Sequence, residues 1–457
     1  MIPLPLLVLA CATSHATTAD LYTAQDAYNK GDYQQAFEAY RNLAELGQPT
    51  AQFDLAVMYA RGLGGEQNEL KAYAWASIAA DNGDSNGRAL AAKLRPDLAP
   101  DFEKSVEALR AQFGPKALDE RLLPKIQSSE AAEALERESC RSVHPSTPEF
   151  PPAAWEKGVQ GVVYAEYTVV PDGNARNMRI VYAQPQGVFD AAVRDALLHS
   201  RFPVPGNDSK PIHCTMYYDF VKAAAFASAH PTLSGFVQRT HVEALTGRPS
   251  SQLLYGLLLS GLPELRRPRS EALYWFLKAA QAGSSIAQYQ VGYSLLTGWG
   301  CERDENKGLE WMHHAADQDQ PNAQVALAEH LLRGTPDDEK VKQAKTWLER
   351  AAATGSRDGK VHLAALLAAS PDASVRDPSR ARALSEEAFA NLEDDPTGFE
   401  IRAAAEANAG NFGPAADTQQ KAIERASHLG WNLAPLKERL ARYQSQQSWD
   451  GDLLASQ

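Results

Sequence analysis

Cysteine is scarce in this 457-residue sequence, clustered basic residues are missing, and no apolar run reaches the roughly 20 residues that cross a bilayer as a helix. Each gap closes off a class of function. No CxxC pair occurs among the four cysteines, so neither a zinc ribbon nor a thioredoxin-type dithiol is supported. No Lys/Arg block of five or more occurs, and the formal net charge is −12. A polyanion binder needs a basic face, so nucleic acid is excluded as a partner and a peripheral hold on anionic lipid is disfavoured. HExxH, GxxxxGK[ST] and GxSxG are all missing, and Gly62-x-Gly64-Gly65 is not GxGxxG. His313-His314 is no chelating pair, because neighbours on a helix point about 100° apart. A hydrolase would need acid and base groups converging in a polar cleft, and no such constellation stands in the chain. The expectation is a non-enzymatic protein with no cofactor, no metal and no small-molecule substrate.

Residues 2–12 carry no charge and are rich in Leu, Val and Ala. They fit the apolar region of a secretory signal. Ser14-His15-Ala16 and Thr17-Thr18-Ala19 place small residues at cleavage positions, so 1–19 reads as a signal peptide. Val8-Leu9-Ala10-Cys11 offers a second route, a lipoprotein signal ending at a lipidated Cys11, which would be the protein's one tie to a membrane. Secretion would place Cys140, Cys214 and Cys301 in an oxidising compartment. Cys140 and Cys214 flank one candidate domain and are a candidate disulfide. Cys301 reads as a small buried hydrophobe.

Laid on itself, the chain repeats. Shifting Ala51 to Ala287, an offset of 287 − 51 = 236, brings Gly62 onto Gly298, Gly64 onto Gly300, Trp75 onto Trp311 and Ala79-Ala80 onto Ala315-Ala316. Trp275, Trp311 and Trp347 stand 36 residues apart (311 − 275 and 347 − 311), each followed by paired alanines. Ala287, Val291 and Leu295 lie at helical spacing, Gly298 and Gly300 let the chain reverse, and a second helix carries Trp311 above Ala315 and Ala316. Small residues let the two helices approach closely. One such hairpin cannot bury its own apolar face, so neighbours must stack.

This pattern resembles the Sel-one-like repeat, a variant of the tetratricopeptide repeat, with copies at 51–83, 251–283, 287–319 and 323–355 and a degraded copy at 359–390. Ala24, Ala27, Gly31, Tyr33, Ala36 and Tyr40 resemble an ordinary tetratricopeptide hairpin, as do Ala404, Ala407, Gly410, Phe412, Ala416 and Ala422. Residues 435–443 read as a cap helix.

Between the repeats the texture changes. Val163, Ala165, Tyr167 and Val169 alternate with Tyr164, Glu166 and Thr168 as a strand does. Residues 171–174 form a turn cluster, and a second strand follows through Met178, Ile180 and Tyr182. Residues 189–202 read as a helix with Phe189, Ala192, Val193, Ala196 and Leu197 on one face. In a last strand Ile212, Cys214, Met216, Tyr218 and Phe220 share a face. This order resembles the TonB C-terminal domain. The matching residues include Pro148-Glu149-Phe150-Pro151, Gly158, Gly161, Asp172-Gly173, Asn177, Phe189-Asp190 and Arg201-Phe202. Ser200 stands where that family usually shows Trp.

The expected fold is mainly α: an α-solenoid of helical-hairpin repeats interrupted by a small α+β (ββαβ) domain. The segments are N-terminal repeats at 20–95, a helical spacer at 96–137, the TonB-like domain at 138–222 and C-terminal repeats at 230–445. The resemblance implies peptide binding by strand addition along Ile212, His213, Cys214, Thr215, Met216, Tyr217, Tyr218, Asp219 and Phe220. The alternative is that this strand is a covered edge docked on the flanking repeats. The repeats' exposed faces, the concave one first, are the other expected ligand surface. Function is expected to be that of a periplasmic protein–protein interaction scaffold. An accessory or energy transducer for transport through outer-membrane TonB-dependent receptors is the alternative, with those receptors as partners.

Overall fold

The computed structural model describes residues 20–95, 102–127, 130–203, 210–221, 233–392 and 394–454. The signal segment and Cys11 lie outside the described residues. The chain divides into two compact units, one ending at Pro115 and the other beginning at Lys116.

The first unit is built of hairpins: α1 (Leu21–Lys30) with α2 (Tyr33–Glu45), α3 (Pro49–Arg61) with α4 (Glu69–Asp81), then α5 (Ser85–Leu94) and α6 (Phe102–Phe113). Asp20 and Thr23 cap α1 reciprocally, each side chain bonding the other's backbone N–H. After α3, Gly64 holds φ 73° against the preceding hairpin, where a Cβ would collide with the Tyr33 carbonyl. Only glycine serves there. Trp75 is buried under α6, its ring 5.2 Å from that of Phe113.

The second unit opens with α7 (Pro115–Arg121), α8 (Glu130–Ser139) and α9 (Pro152–Lys157) and continues into the β module. Its hairpins then follow. They are α11 (Leu233–Ala244), α12 (Pro249–Gly261) with α13 (Arg269–Gln281), α14 (Ser285–Thr297) with α15 (Glu305–Asp317), and α16 (Pro321–Leu332) with α17 (Asp338–Ala353). After these come α18 (Arg357–Ala369) with α19 (Pro378–Ala388), α20 (Pro396–Asn408) with α21 (Phe412–His428), and the closing α22 (Ala434–Gln444). Trp311 on α15 is fully buried, and its indole N–H donates to the Leu122 carbonyl at 2.8 Å. Lys307, one turn earlier, donates to the carbonyls of Asp119 at 2.5 Å and Leu123 at 2.8 Å. The stretch after α7 is thus fastened along this hairpin by its own backbone oxygens.

The module comprises β1 (Gly161–Val169), β2 (Ala175–Gln184), α10 (Asp190–His199) and β3 (Ile212–Phe220). The sheet is antiparallel with order β2-β1-β3. Val163, Ala165, Tyr167 and Val169 pack with Phe189, Val193, Leu197, Phe202, Cys214 and Phe220 in one core, as the alternation implies. The helix is shorter than the 189–202 the sequence suggests. Phe202 precedes Pro203, which disfavours helical backbone, and Arg201 instead bridges to His144. Ser200 is buried, donating to the Ala196 carbonyl and accepting from the Ser146 N–H.

β2 does not alternate evenly. Glu166 pairs with Arg179 but Thr168 pairs with Arg176, so two residues of β1 face three of β2. Asn177 lies in this bulge with φ 49°.

Candidate protein-binding site

β3 has one strand neighbour, β1, and among the described residues no strand pairs its other edge. Ile212, Cys214, Met216, Tyr218 and Phe220 pack into the module core. Cys214 is disulfide-bonded to Cys140, which follows α8. Asp219 is exposed.

The remaining side chains of β3 do not face solvent. The Tyr293 hydroxyl and His213 Nδ1 are hydrogen-bonded at 2.9 Å, and burial pushes the His213 imidazole down to about 3. Thr215 donates to the Ser260 carbonyl at 2.6 Å. Tyr217 and Tyr164 sit against Gly261, where an added Cβ would come within 2.9 Å of both. The nine residues of the candidate strand therefore split: one face is module core and the other is docked on α12 and α14, while α8 packs beside the strand and no second strand among the described residues pairs its outer edge.

Docking continues across the whole sheet. Glu166, 2% exposed, accepts from the Tyr289 hydroxyl and the Gln290 amide, both at 2.7 Å. Burial pushes its carboxyl up, and the two hydrogen bonds pull the other way. Arg179 pairs with Glu329, which His362 also meets at 3.0 Å. Arg194 pairs with Asp358 at 2.9 Å, and the Asn322 amide donates to the Ile180 carbonyl at 3.2 Å. At the β1–β2 turn, Asp172 accepts from the Asn432 N–H at 3.1 Å and Asn174 donates to the Gly430 carbonyl. The Arg176 guanidinium lies 3.3 Å over the Trp431 ring. A cavity of about 60 Å³ persists in this seam beside Arg176, Arg194, Asp358 and Trp431, room for a few waters. A cleft of about 350 Å³ of mixed polar and apolar lining opens nearby, with Ile180, Gln186 and Asp190 of the module facing Lys360, Glu387 and Leu392 of the repeats.

Tyr164 and Glu166, on the second face of β1, are buried as well. Glu329 and Asp358, helix carboxylates of a type that is usually solvated, are clamps on the module. The face of the C-terminal repeats formed by α12, α14, α16 and α18, an expected ligand surface, is held by the chain's own sheet. The sequence offers docking of β3 on the flanking repeats as an alternative but does not name the contacts, whose partners lie 45 to 164 residues apart. The available signal was a glutamate in the middle of an otherwise apolar strand.

His313 sits beside Trp347, with rings 6.0 Å apart, and His314 beside Trp311. Among the described residues no three His, Cys, Asp or Glu converge as a metal site, and no helix is long and apolar enough to cross a membrane.

Residues 146–221 match the family described as Gram-negative bacterial TonB protein C-terminal. Residues 49–84, 249–284, 285–320 and 321–356 each match the Sel1 repeat. No curated protein matches the chain. Among solved structures, a Sel1 repeat protein from Oxalobacter formigenes is 21% identical, with 44% of this chain and 85% of that one covered and a TM-score of 0.32. A protective antigen of uropathogenic Escherichia coli strains, displaying an SLR fold, is 15% identical, with 93% of this chain and 82% of that one covered and a TM-score of 0.35. The chain thus joins four Sel1 repeats to a TonB C-terminal module.

Proposed function

We propose that this protein is a periplasmic scaffold that acts by binding other proteins rather than by catalysis, and that its TonB C-terminal module takes an extended peptide along the outer edge of β3. Both matched families are scaffold types, and the first is named for Gram-negative bacteria. A Cys140–Cys214 disulfide suits an oxidising compartment. The observation that carries the binding mode is the single strand neighbour of β3. A strand edge that no other strand pairs is a template for one more strand. Docking of the opposite sheet face makes that edge rigid, so an incoming peptide pays little ordering cost on the protein side.

The test is an amide-resonance titration of the full chain with a peptide carrying an outer-membrane receptor's TonB-recognition segment. Shifts concentrated at 212–221 are expected. Silence there at millimolar peptide overturns the binding mode. Mass spectrometry of the mature protein tests the compartment: a chain with its leader intact and both cysteines reduced would overturn it.

A further inference from the structure

The N-terminal unit carries the same gripping positions as the C-terminal repeats, and among its described residues no strand fills them. The 236-residue shift places Phe53 on Tyr289 (289 − 236), Asp54 on Gln290 (290 − 236) and Val57 on Tyr293 (293 − 236). Steps of 36 carry the same register to Glu329 (293 + 36) and His362 (290 + 72). In the second unit Tyr289, Gln290, Tyr293 and Glu329 contact the module directly, through Glu166, His213 and Arg179, while His362 holds Glu329. In the first unit Phe53, Asp54 and Val57 are half-buried on α3. Aligning the cap glycines Gly31 and Gly62, an offset of 31, adds Tyr22 of α1 at the position of Phe53, and Tyr22 is 50% exposed.

Chemistry on this face is lopsided. Burial pushes the Asp54 carboxyl up to about 6, with only the Tyr40 hydroxyl bonding to it in the other direction. None of the ion pairs among the described residues includes Asp54. In the second unit the corresponding face uses carboxylates, Glu329 and Asp358, to hold arginines that project from β2 and α10. Glu329 falls on the Val57 position (329 − 36 − 236) and Asp358 on that of Thr50 (358 − 72 − 236), one helical turn to either side of Asp54, so Asp54 is a half-buried carboxylate on the same face that pairs with no cation among the described residues.

We propose that Tyr22, Phe53, Asp54 and Val57 form a docking face for an extended segment of another protein that presents an arginine to Asp54 between apolar side chains. The proposal rests on the scaffold reading and places a second binding surface away from β3. The arginine is favoured over lysine because the carboxylates one turn away on the equivalent face of the second unit, Glu329 and Asp358, hold guanidinium groups, which are weakly hydrated and suit partly buried pairing.

The probe is a fluorescein-labelled decapeptide with the sequence of β2, ARNMRIVYAQ, titrated into the full chain by anisotropy. Saturable binding is expected. Asp54→Asn, or replacing both peptide arginines by glutamine, should weaken it about ten- to a hundredfold, the worth of a charge-assisted hydrogen bond. Val57→Arg should abolish it. Asp54→Asn removes a carboxylate that burial disfavours, so its thermal midpoint should not fall. No saturable binding at millimolar peptide, or binding indifferent to Asp54→Asn, overturns the proposal. Binding that instead shifts only the amides at 212–221 would overturn it while supporting strand addition at β3.

Discussion

Arg194 and Asp358, 164 residues apart in sequence, meet at 2.9 Å with both side chains more than nine-tenths buried. Their pairing pins α10 to the start of α18. Burial alone would push the Asp358 carboxyl up, yet Arg194 and Arg357 together bring it below its ordinary value. Removing one partner strands a buried charge. Asp358→Ala or Arg194→Ala should cost about 3–5 kcal/mol in denaturant unfolding of the second unit, while replacing both by apolar residues should cost far less. A double variant as unstable as the singles would mean that packing, not charge, holds this seam.

Asn177 occupies a backbone conformation that β-branched residues avoid. Asn177→Gly should be nearly neutral, whereas Asn177→Val should destabilise by about 1–3 kcal/mol. Thermal midpoints of the two variants give the comparison. Equal midpoints would show that the bulge relaxes without loss.

His362 provides a pH readout. Burial lowers its affinity for a proton, but the hydrogen bond and charge of Glu329 outweigh burial and raise it above the ordinary imidazole value. A raised folded-state value stabilises below about pH 6.5, the unfolded value, and that contribution is lost as pH climbs through the folded value. Wild type should therefore exceed His362→Gln in stability most clearly near pH 6, with the gap closing on the alkaline side. Urea midpoints at pH 6 and pH 9 measure it. A gap that widens with pH would contradict the assigned pairing.

Reducing the Cys140–Cys214 bond reopens a loop spanning 74 residues. The expected loss is about 2–4 kcal/mol, seen as a lower unfolding midpoint in reductant. Since the bond closes over the core face of β3, reduction should also speed hydrogen exchange in that strand more than in α15, where Trp311 is anchored independently.

Much of this architecture is legible locally. Gly64 and Gly300 mark reversals because each must pack its backbone on a neighbouring hairpin. Trp75 and Trp311 announce the second helix of a repeat, and the alternation from Val163 to Val169 sets the module core. The seam is another matter. Glu166, Arg179, Arg194, Glu329 and Asp358 belong to residue types that usually remain solvated, and nothing within a short window says otherwise. Their roles depend on contacts between segments separated by well over a hundred positions. The fastening of Leu122 and Leu123 along α15 is equally silent, because it uses main-chain oxygens that every residue possesses.

An even pleat would send Arg176 and Arg179 to opposite sides, since an odd separation inverts direction along a strand. The extra residue at Asn177 cancels that inversion, and both guanidinium groups arrive on one side, one above an indole and the other beside a carboxylate. A single irregularity in hydrogen-bond counting thereby converts a strand into a two-pronged plug, and its removal would leave one prong among the aromatic rings of the module interior.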